Sequence, residues 1–588
     1  MKKVVKKGLR SGLQASKKLA NSNKYSKKMA QKLKKATLAA IGTGGAQEVY
    51  NVSSFYPSIQ DYYYQTKDFN EKKDPLISIL LPTYNTPENY LRECIESIIV
   101  QSYFKWELCI ADDNSPDKNV IKIIKEYQKK DKRIKLVERK TNGHISEATN
   151  SALKIATGEF VALMDHDDVL WPNALYEMVA VIRVNKKVDF IYTDEDKLDG
   201  TGKVHSYPFL KPDFSPEFLE SCNYITHFSC IRTKVMKDVG GFRKGYEGAQ
   251  DWDLFIRIAE VTQNIVHIPK ILYSWRVHEA STASDTDAKP YVYEAQKKLL
   301  ADHAERLNKE YKIGLGAIET GIIPQHRTIK YPIKTDDTLS VVLFHSDIER
   351  TRRFIRSLAA TAAGAPYEIL CVHDKTISPT IEGELRELNP QVSLRFLRVK
   401  DKKQTNTYLS AAKKAKGNYL LFANDNLEII SESWAKIFMG DAQLKHTGFV
   451  GPVLLNTDKA TIMSAGLGLG YGEHGYLDML QGMPFNDPHY TRGLYAKSRR
   501  NVSSVSSALF AIEKKRFLSF IEQGSSQFNI ISTSLSMLEK EYRHIYTPYI
   551  QAVVHGRLPR IESNKLITED RYLNPNFNHT NQNMEVRA

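Results

Sequence analysis

The stretch Gly158-Glu-Phe-Val-Ala-Leu-Met-Asp-His-Asp-Asp168 decides the fold. Phe160 to Met164 is a short apolar run between a glycine and a set of acids, which reads as a buried strand. It runs straight into carboxylates at Asp165, Asp167 and Asp168. A buried carboxylate without a partner is costly. The cluster therefore belongs at the open C-terminal edge of a sheet, where ligands of open α/β sheets sit. Closely spaced acids at such an edge suit a hard divalent cation, Mg²⁺ or Mn²⁺, shared with substrate phosphates. A solvated acidic turn is the plainer alternative, and the surrounding chain decides between them.

Upstream, Ile77–Leu81 reads as a strand ended by Pro82-Thr-Tyr-Asn-Thr-Pro87. A helix follows with Leu91, Cys94, Ile95, Ile98 and Ile99 on one face. A second strand, Trp106–Ala111, ends in Asp112-Asp113-Asn114-Ser115. Then come a lysine-rich helix over 118–130, a strand at Ile134–Val137, and an Asn142-Gly143 turn opening a helix over 146–156. Downstream, Phe190–Thr193 reads as a strand ending in Asp194-Glu-Asp-Lys197. Gln250-Asp251-Trp252-Asp253 opens a helix over 253–261, and Ile265–Ile268 with Ile271–His278 closes the unit. Alternating strands and helices predict a mostly parallel, doubly wound α/β sheet. Polar groups end strands one, two and four, a nucleotide-site layout without a GxGxxG or P-loop. Phosphate handling then falls to the acid cluster and its metal.

Composition sets the wider bounds. A chain of 588 residues holds two or three domains. The five cysteines are scattered and odd in number, as in a reduced, cytoplasmic protein. No apolar run reaches the length of a membrane span. The net charge of +15 is concentrated at one end: residues 1–36 hold 13 Lys/Arg and no acid. Val5, Leu9, Leu13, Met29 and Leu33 recur among these lysines, so 1–38 reads as a basic amphipathic helix for an anionic membrane surface. A solvated arm or a nucleic-acid-binding arm is the alternative. No aromatic-interleaved basic groove follows to favour nucleic acid. Residues 39–74, with Gly42, Gly44, Gly45 and Tyr62–Tyr64, read as a linker.

Eight motifs in order carry a resemblance: Pro82-Thr-Tyr-Asn85, Ala111-Asp-Asp-Asn-Ser115, Asn142-Gly-His-Ile-Ser146, Ala156-Thr-Gly-Glu159, Asp165-His-Asp-Asp168, Asp194-Glu-Asp-Lys197, Gly248-Ala-Gln-Asp-Trp-Asp253 and Trp275-Arg-Val-His278. The stretch 76–283 resembles family 2 of the glycosyltransferases, which adopt the GT-A fold. It is most like the tandem two-domain, rhamnosyltransferase-like bacterial enzymes of cell-surface polysaccharide assembly. The resemblance implies transfer of a sugar, with inversion, from a UDP or dTDP donor to a hydroxyl of a growing glycan, lipid-linked glycan or glycoprotein. It implies Asp251 as general base and Asp167, Asp165 and His278 at the metal. Pro82, Thr83, Tyr84, Asp112, Asp113, Asn142 and Asp165 are implied at the nucleotide, with Asn150 nearby. Asp194, Asp196 and Trp252 are candidates for the acceptor or donor sugar, with a helix or turn cap the alternative for the two acids. Asp168 serves equally as cap for a helix beginning near Pro172, and Asp253 as a structural acid. A non-catalytic glycan- or nucleotide-binding scaffold at the membrane face is the alternative. Both readings place the chain peripherally at the inner face of the cytoplasmic membrane. Whether it forms a homo-oligomer stays open.

From Thr338 the pattern returns. Ser340 lies 262 positions after Ser78, Glu368 lies 261 after Glu107, and Gly417 lies 259 after Gly158. His544 and His555 both lie 277 after His267 and His278. A near-constant offset, with an insertion of roughly 18 residues before the last segment, means duplication, giving a catalytic domain at 75–330 and a second GT-A-like domain at 331–588. The chemistry is not copied. Asn424 and Asn426 stand at the places of Asp165 and Asp167, and Phe528 at that of Asp251. The second domain is therefore expected to be non-catalytic.

Overall fold

The computed structural model describes residues 73–278, 290–374, 377–399, 407–472, 474–521, 528–561 and 570–577. The basic segment expected over 1–38 and all but the last two residues of the 39–74 linker lie outside these. The described residues form two units. One holds the chain up to Lys211 and Ile225–Gln296; the other holds Pro212–Tyr224 and the chain from Lys297 onward.

The sheet of the first unit has nine strands: β1 (Ile77–Thr83), β2 (Trp106–Asp112), β3 (Ile134–Glu138), β4 (Phe160–Leu163), β5 (Val169–Leu170), β6 (Phe190–Asp199), β7 (His205–Phe209), β8 (Ser229–Arg232) and β9 (Ile265–Val277). Their order is β3-β2-β1-β4-β8-β6-β9-β5, with β7 beside β6. The pairs β1–β2, β2–β3 and β1–β4 are parallel, as expected. Beyond β4 the pairing is mixed, because the short β8 inserts antiparallel between β4 and β6. Helices α1 (Glu88–Ile99), α2 (Lys118–Lys130) and α3 (His144–Ile155) join the first four strands. Helix α1 buries Leu91, Cys94, Ile95 and Ile98, and α2 buries Val120, Ile123, Ile124 and Tyr127, the three- and four-residue spacing of one helix face. Strand order reverses between β1 and β4, so the crevice beyond their C-terminal ends is the topological switch point. The acids after β4 lie there.

Three sequence expectations change. The strand Phe190–Thr193 does not stop at Asp194 but continues to Asp199. Its acids stay in register beside β9 because each finds a partner inside. Ile265–Ile268 and Ile271–His278 are one strand; Pro269 is absorbed where the β6–β9 register shifts after Thr193. The helix expected near Pro172 is α4 (Ala174–Val184), preceded by Asn173. Asp168 therefore does not cap it and is buried elsewhere. All five cysteines are free and buried.

The second unit repeats the strand order of the first. Its sheet runs Leu394–Arg398, Tyr367–His373, Leu339–Phe344, Tyr419–Asn424, Leu509–Glu513, Thr447–Leu455, Arg543–Val554, Leu427–Ile429. The duplication extends to single hydrogen bonds. Ser78 Oγ donates to Glu107 Oε1 at 2.7 Å and accepts from Gly158 N at 2.8 Å. Ser340 Oγ does the same with Glu368 Oε1 at 2.7 Å and Gly417 N at 2.8 Å. Both glycines are required by close approach. A Cβ on Gly158 would meet Leu76 O at 2.6 Å, and one on Gly417 would meet Thr338 O at 2.7 Å.

Pro212–Tyr224 belongs to the second unit through buried charge. Arg543 pairs with Glu217 at 3.2 Å, Arg499 with Glu220 at 2.9 Å, and Ser215 Oγ bonds Asn501 Oδ1 at 2.8 Å. A fragment cut to 75–330 leaves both glutamates without their arginines. Breaking a buried pair costs about 3–5 kcal/mol. Limited proteolysis will cleave such a fragment within 212–224 under conditions that leave the full chain intact there; equal resistance would contradict the assignment.

Candidate active site

Strand β1 delivers Pro82 and Thr83 to the switch point, both buried, and Tyr84 follows, 45% exposed. Beside it, β2 ends in two acids with different partners. Asp112 closes its own turn, accepting from Ser115 N at 2.9 Å and from Ser115 Oγ. Asp113 accepts from Arg139 Nε at 2.7 Å and from Gly143 N at 3.0 Å. Arg139 was not singled out from the sequence. Asn142 is exposed, and its Oδ1 accepts from His144 N at the entrance to α3. Asn150 pins the glycine turn, bonding both Phe242 N and Phe242 O.

The acids after β4 divide by environment. Asp168 is buried; Tyr273 Oη donates to one oxygen and Arg276 N to the other at 2.7 Å. Burial and the charges of Asp167 and Asp165 raise its carboxyl well above the usual range. Asp167 meets His278 Nε2 at 2.9 Å, and Arg276 Nε holds its backbone carbonyl at 2.7 Å. Burial opposes ionisation of Asp167, but nearby His166 and the His278 hydrogen bond outweigh it and hold the carboxyl below its ordinary value. Asp165 keeps 39% of its side chain exposed and lies 3.9 Å from His227 Nε2. Burial first, then the like charges of Asp167 and Asp251, push it up to about 7.

Asp251 reaches this field from α5 (Gln250–Val261), whose first turn it occupies. The residues after it turn inward, one helical step of about 100° each. Trp252 is buried, and Asp253 is held by Arg243 and by Arg257 Nη2 at 2.8 Å. Asp251 alone of the three contributes to the electrostatics of Asp165. The structure thus gathers Asp165, Asp167, His278 and the charge of Asp251. Asp194 and Asp196 point into the protein. Asp194 bonds His267 Nε2 at 2.9 Å and Lys211 N at 2.8 Å, and Asp196 bonds His205 Nδ1 at 2.8 Å.

Two candidate cation sets emerge. The donor atoms of Asp165, Asp168 and His227 lie within 4.8 Å of one another. Each oxygen of Asp168 already accepts one hydrogen bond, so a cation there would share that carboxylate with Tyr273 and Arg276. Asp167 and His278, 2.9 Å apart, have the spacing of adjacent ligands about 2.0–2.1 Å from an octahedral Mg²⁺-like ion.

The acids also predict a stability signature. The folded value of Asp165, about 7, lies above its ordinary 3.8. Between these values the folded chain keeps a proton that the unfolded chain releases, so stability falls as pH rises and the full cost is present above the folded value. Partial exposure reduces this cost. In chelator, Asp165→Asn will melt about 2–4 °C above the parent at pH 8 and above it by less than half of that offset at pH 5. An equal offset at both pH values would contradict the assignment.

In the second unit Asp425, which stands at the place of His166, is held by the loop beside it. Asp425 accepts from Ser346 N at 2.6 Å, Ser346 Oγ at 2.7 Å, Asp347 N at 2.9 Å and Thr351 Oγ1 at 3.2 Å. His555 bonds Glu428 at 2.9 Å. Phe528, at the place of Asp251, sits among rings, 4.5 Å from Tyr408, 5.5 Å from Phe517 and 5.7 Å from Phe510.

Comparison with known proteins follows the same line. The family model described as Glycosyl transferase family 2 matches residues 78–240. The O-antigen biosynthesis protein RfbC of Myxococcus xanthus is 30% identical over 452 residues, 75% of this chain and 34% of that protein. An uncharacterized glycosyltransferase of Methanocaldococcus jannaschii is 32% identical over 217 residues, 35% of this chain and 72% of that protein. Among solved structures, S. aureus TarS 1-349 in complex with UDP-GlcNAc is 24% identical, covers 40% of this chain and 73% of its own, and superposes with a TM-score of 0.34. The chain spans 54% and 34% of the lengths of the first curated relatives it matches. Among the described residues no helix is long and apolar enough to cross a membrane.

Proposed function

Because the chain belongs to family 2 of the glycosyltransferases, we propose that its first unit moves a sugar, with inversion, from a UDP- or dTDP-linked donor to a hydroxyl of a growing cell-surface glycan or glycoconjugate. One observation carries the reading: Asp167 and His278 meet at 2.9 Å at the C-terminal edge of the sheet, where the strand order reverses. Asp251 takes the proton of the acceptor hydroxyl as that oxygen attacks the anomeric carbon from the face opposite the diphosphate. Asp167 and His278 would hold Mg²⁺ or Mn²⁺, and Asp165 faces the ribose and diphosphate end. The chemistry such an ion supplies is neutralisation of the leaving diphosphate. Pro82, Thr83 and Tyr84 pack on the base, with Asp113 set by Arg139 as its hydrogen-bond acceptor and Asn142 at the rim.

The scaffold alternative suits the second unit, where Asn424 and Asn426 replace the acids and Phe528 sits among rings. The name of the Myxococcus relative supports a cell-surface polysaccharide as acceptor. The 13 Lys/Arg of residues 1–36 support placement at an anionic, cytoplasmic membrane face. A panel of UDP- and dTDP-sugars, scored by release of the nucleoside diphosphate, tests the reading. At least one donor will turn over with Mn²⁺ or Mg²⁺, and chelator will abolish the turnover reversibly. A panel left intact with both ions would overturn it.

A further inference from the structure

We propose that His227 contacts substrate: its Nε2 and the Asp165 carboxylate form a two-point holder for one hydroxyl of the nucleotide-sugar donor. The assignment rests on the transferase reading and adds to it a residue that no motif in the sequence marks. The two atoms are 3.9 Å apart, too far for a hydrogen bond between them. An oxygen about 2.8 Å from each would see them about 90° apart, which suits a hydroxyl that donates to one and accepts from the other.

The ring is fixed for this use. It stacks on Tyr273, with centroids 4.6 Å apart and planes at 17°, and meets Trp275 edge-on at 5.4 Å. Its backbone is fixed by a buried charge pair. His227 N donates to Glu195 Oε2 at 3.0 Å, and Lys211 Nζ, 3.2 Å from the same carboxylate, donates to the carbonyls of Ile225 and His227. Thr226 Oγ1 also donates to Glu195. A buried ion pair adds little net stability; this one sets the path of residues 225–227. Within the described residues the imidazole makes no hydrogen bond of its own.

The alternative use of the ring, as ligand to an ion with Asp165 and Asp168, meets the difficulty that Asp168 is held by Tyr273 and Arg276. A hydroxyl of the ribose and one of the transferred sugar present the same chemistry, and binding measurements separate them. The full chain and its His227→Phe and His227→Gln variants are titrated with UDP, UDP-glucose, UDP-N-acetylglucosamine and Mn²⁺. Phe keeps the stack on Tyr273 and removes Nε2; Gln returns a polar nitrogen at similar reach. His227→Phe will weaken nucleotide-sugar binding about tenfold, the scale of one hydrogen bond, and His227→Gln will restore most of it. Loss confined to the UDP-sugars identifies the transferred sugar, and equal loss for UDP identifies the ribose. Unchanged binding of every nucleotide in His227→Phe, or weakened Mn²⁺ binding without nucleotide, would overturn the proposal. Failure of the unmodified chain to bind any of these three or their dTDP counterparts would instead overturn the transferase reading itself, and this assignment with it.

Discussion

Asp251→Asn will lower the rate of sugar transfer by about 10²–10⁴-fold, the usual share of a general base, and leave the donor KM nearly unchanged. The substitution isolates the proton. The amide that replaces the carboxylate keeps the size of the side chain, and its oxygen still accepts the Trp252 N hydrogen bond, 2.9 Å in the parent. The first turn of α5 stays formed. An amide accepts no proton at neutral pH, so the attacking hydroxyl loses its base while the diphosphate end is untouched. A loss in kcat with little change in KM is the pattern of an interaction made only in the transition state. A second consequence follows from electrostatics. Asp165 loses one of the two charges that raise it, so its titration in the variant will move to lower pH. Full kcat in Asp251→Asn, with the melting temperature unchanged, would remove Asp251 from the mechanism.

The sequence made the acid edge legible because one kind of information sufficed there. Five apolar residues followed by three acids fix both the burial of β4 and the exposure of its end. The duplication was legible for a related reason. Ser78, Glu107 and Gly158 form one hydrogen-bonded knot between neighbouring strands, and the same knot in the second half demands the same residues at nearly the same spacing. Where the sequence misled, burial was decided by distant partners. Asp194 and Asp196 looked like a strand end because acids commonly end strands. Inside the protein His267 and the Lys211 backbone hold Asp194, His205 holds one oxygen of Asp196, and β6 runs on. Strand β8, four residues between β4 and β6, is too short to show a period. His227 precedes it with no motif at all; only the stack on Tyr273 and the Glu195–Lys211 pair reveal it. Arg276 left a readable trace, a charge inside the apolar strand Ile271–Val277, which the acids after β4 explain.

The two halves permit a paired experiment in which one type of residue has opposite effects. Asp167→Ala in the first unit will cut transfer by about 10²-fold or more, as loss of a cation ligand does, and leave the melting temperature of the ion-free chain within about 2 °C. The reason is local repulsion. Asp167 raises both Asp165 and Asp168, so its removal relieves the buried Asp168 and the half-buried Asp165 and offsets the lost His278 hydrogen bond. Asp425→Ala in the second unit will do the reverse. Asp425 is 2% exposed and accepts four hydrogen bonds from the loop at Ser346 and the start of the helix Ile348–Thr361. Removing it takes a charged acceptor from four donors, of which the Thr351 hydroxyl is buried, at about 2–4 kcal/mol in total, and lowers the melting temperature of the second unit by about 5–10 °C. Transfer per folded molecule stays at the parental level, because among the described residues the hydrogen-bond partners of that carboxylate belong to the second unit. Chelated and Mn²⁺-loaded samples, measured side by side by calorimetry and by donor turnover, separate the two effects. Activity lost in Asp425→Ala with its fold intact would mean that the second unit takes part in the chemistry. A large fall in melting temperature for Asp167→Ala would mean that the acid edge of the first unit is maintained for the fold and not for a substrate.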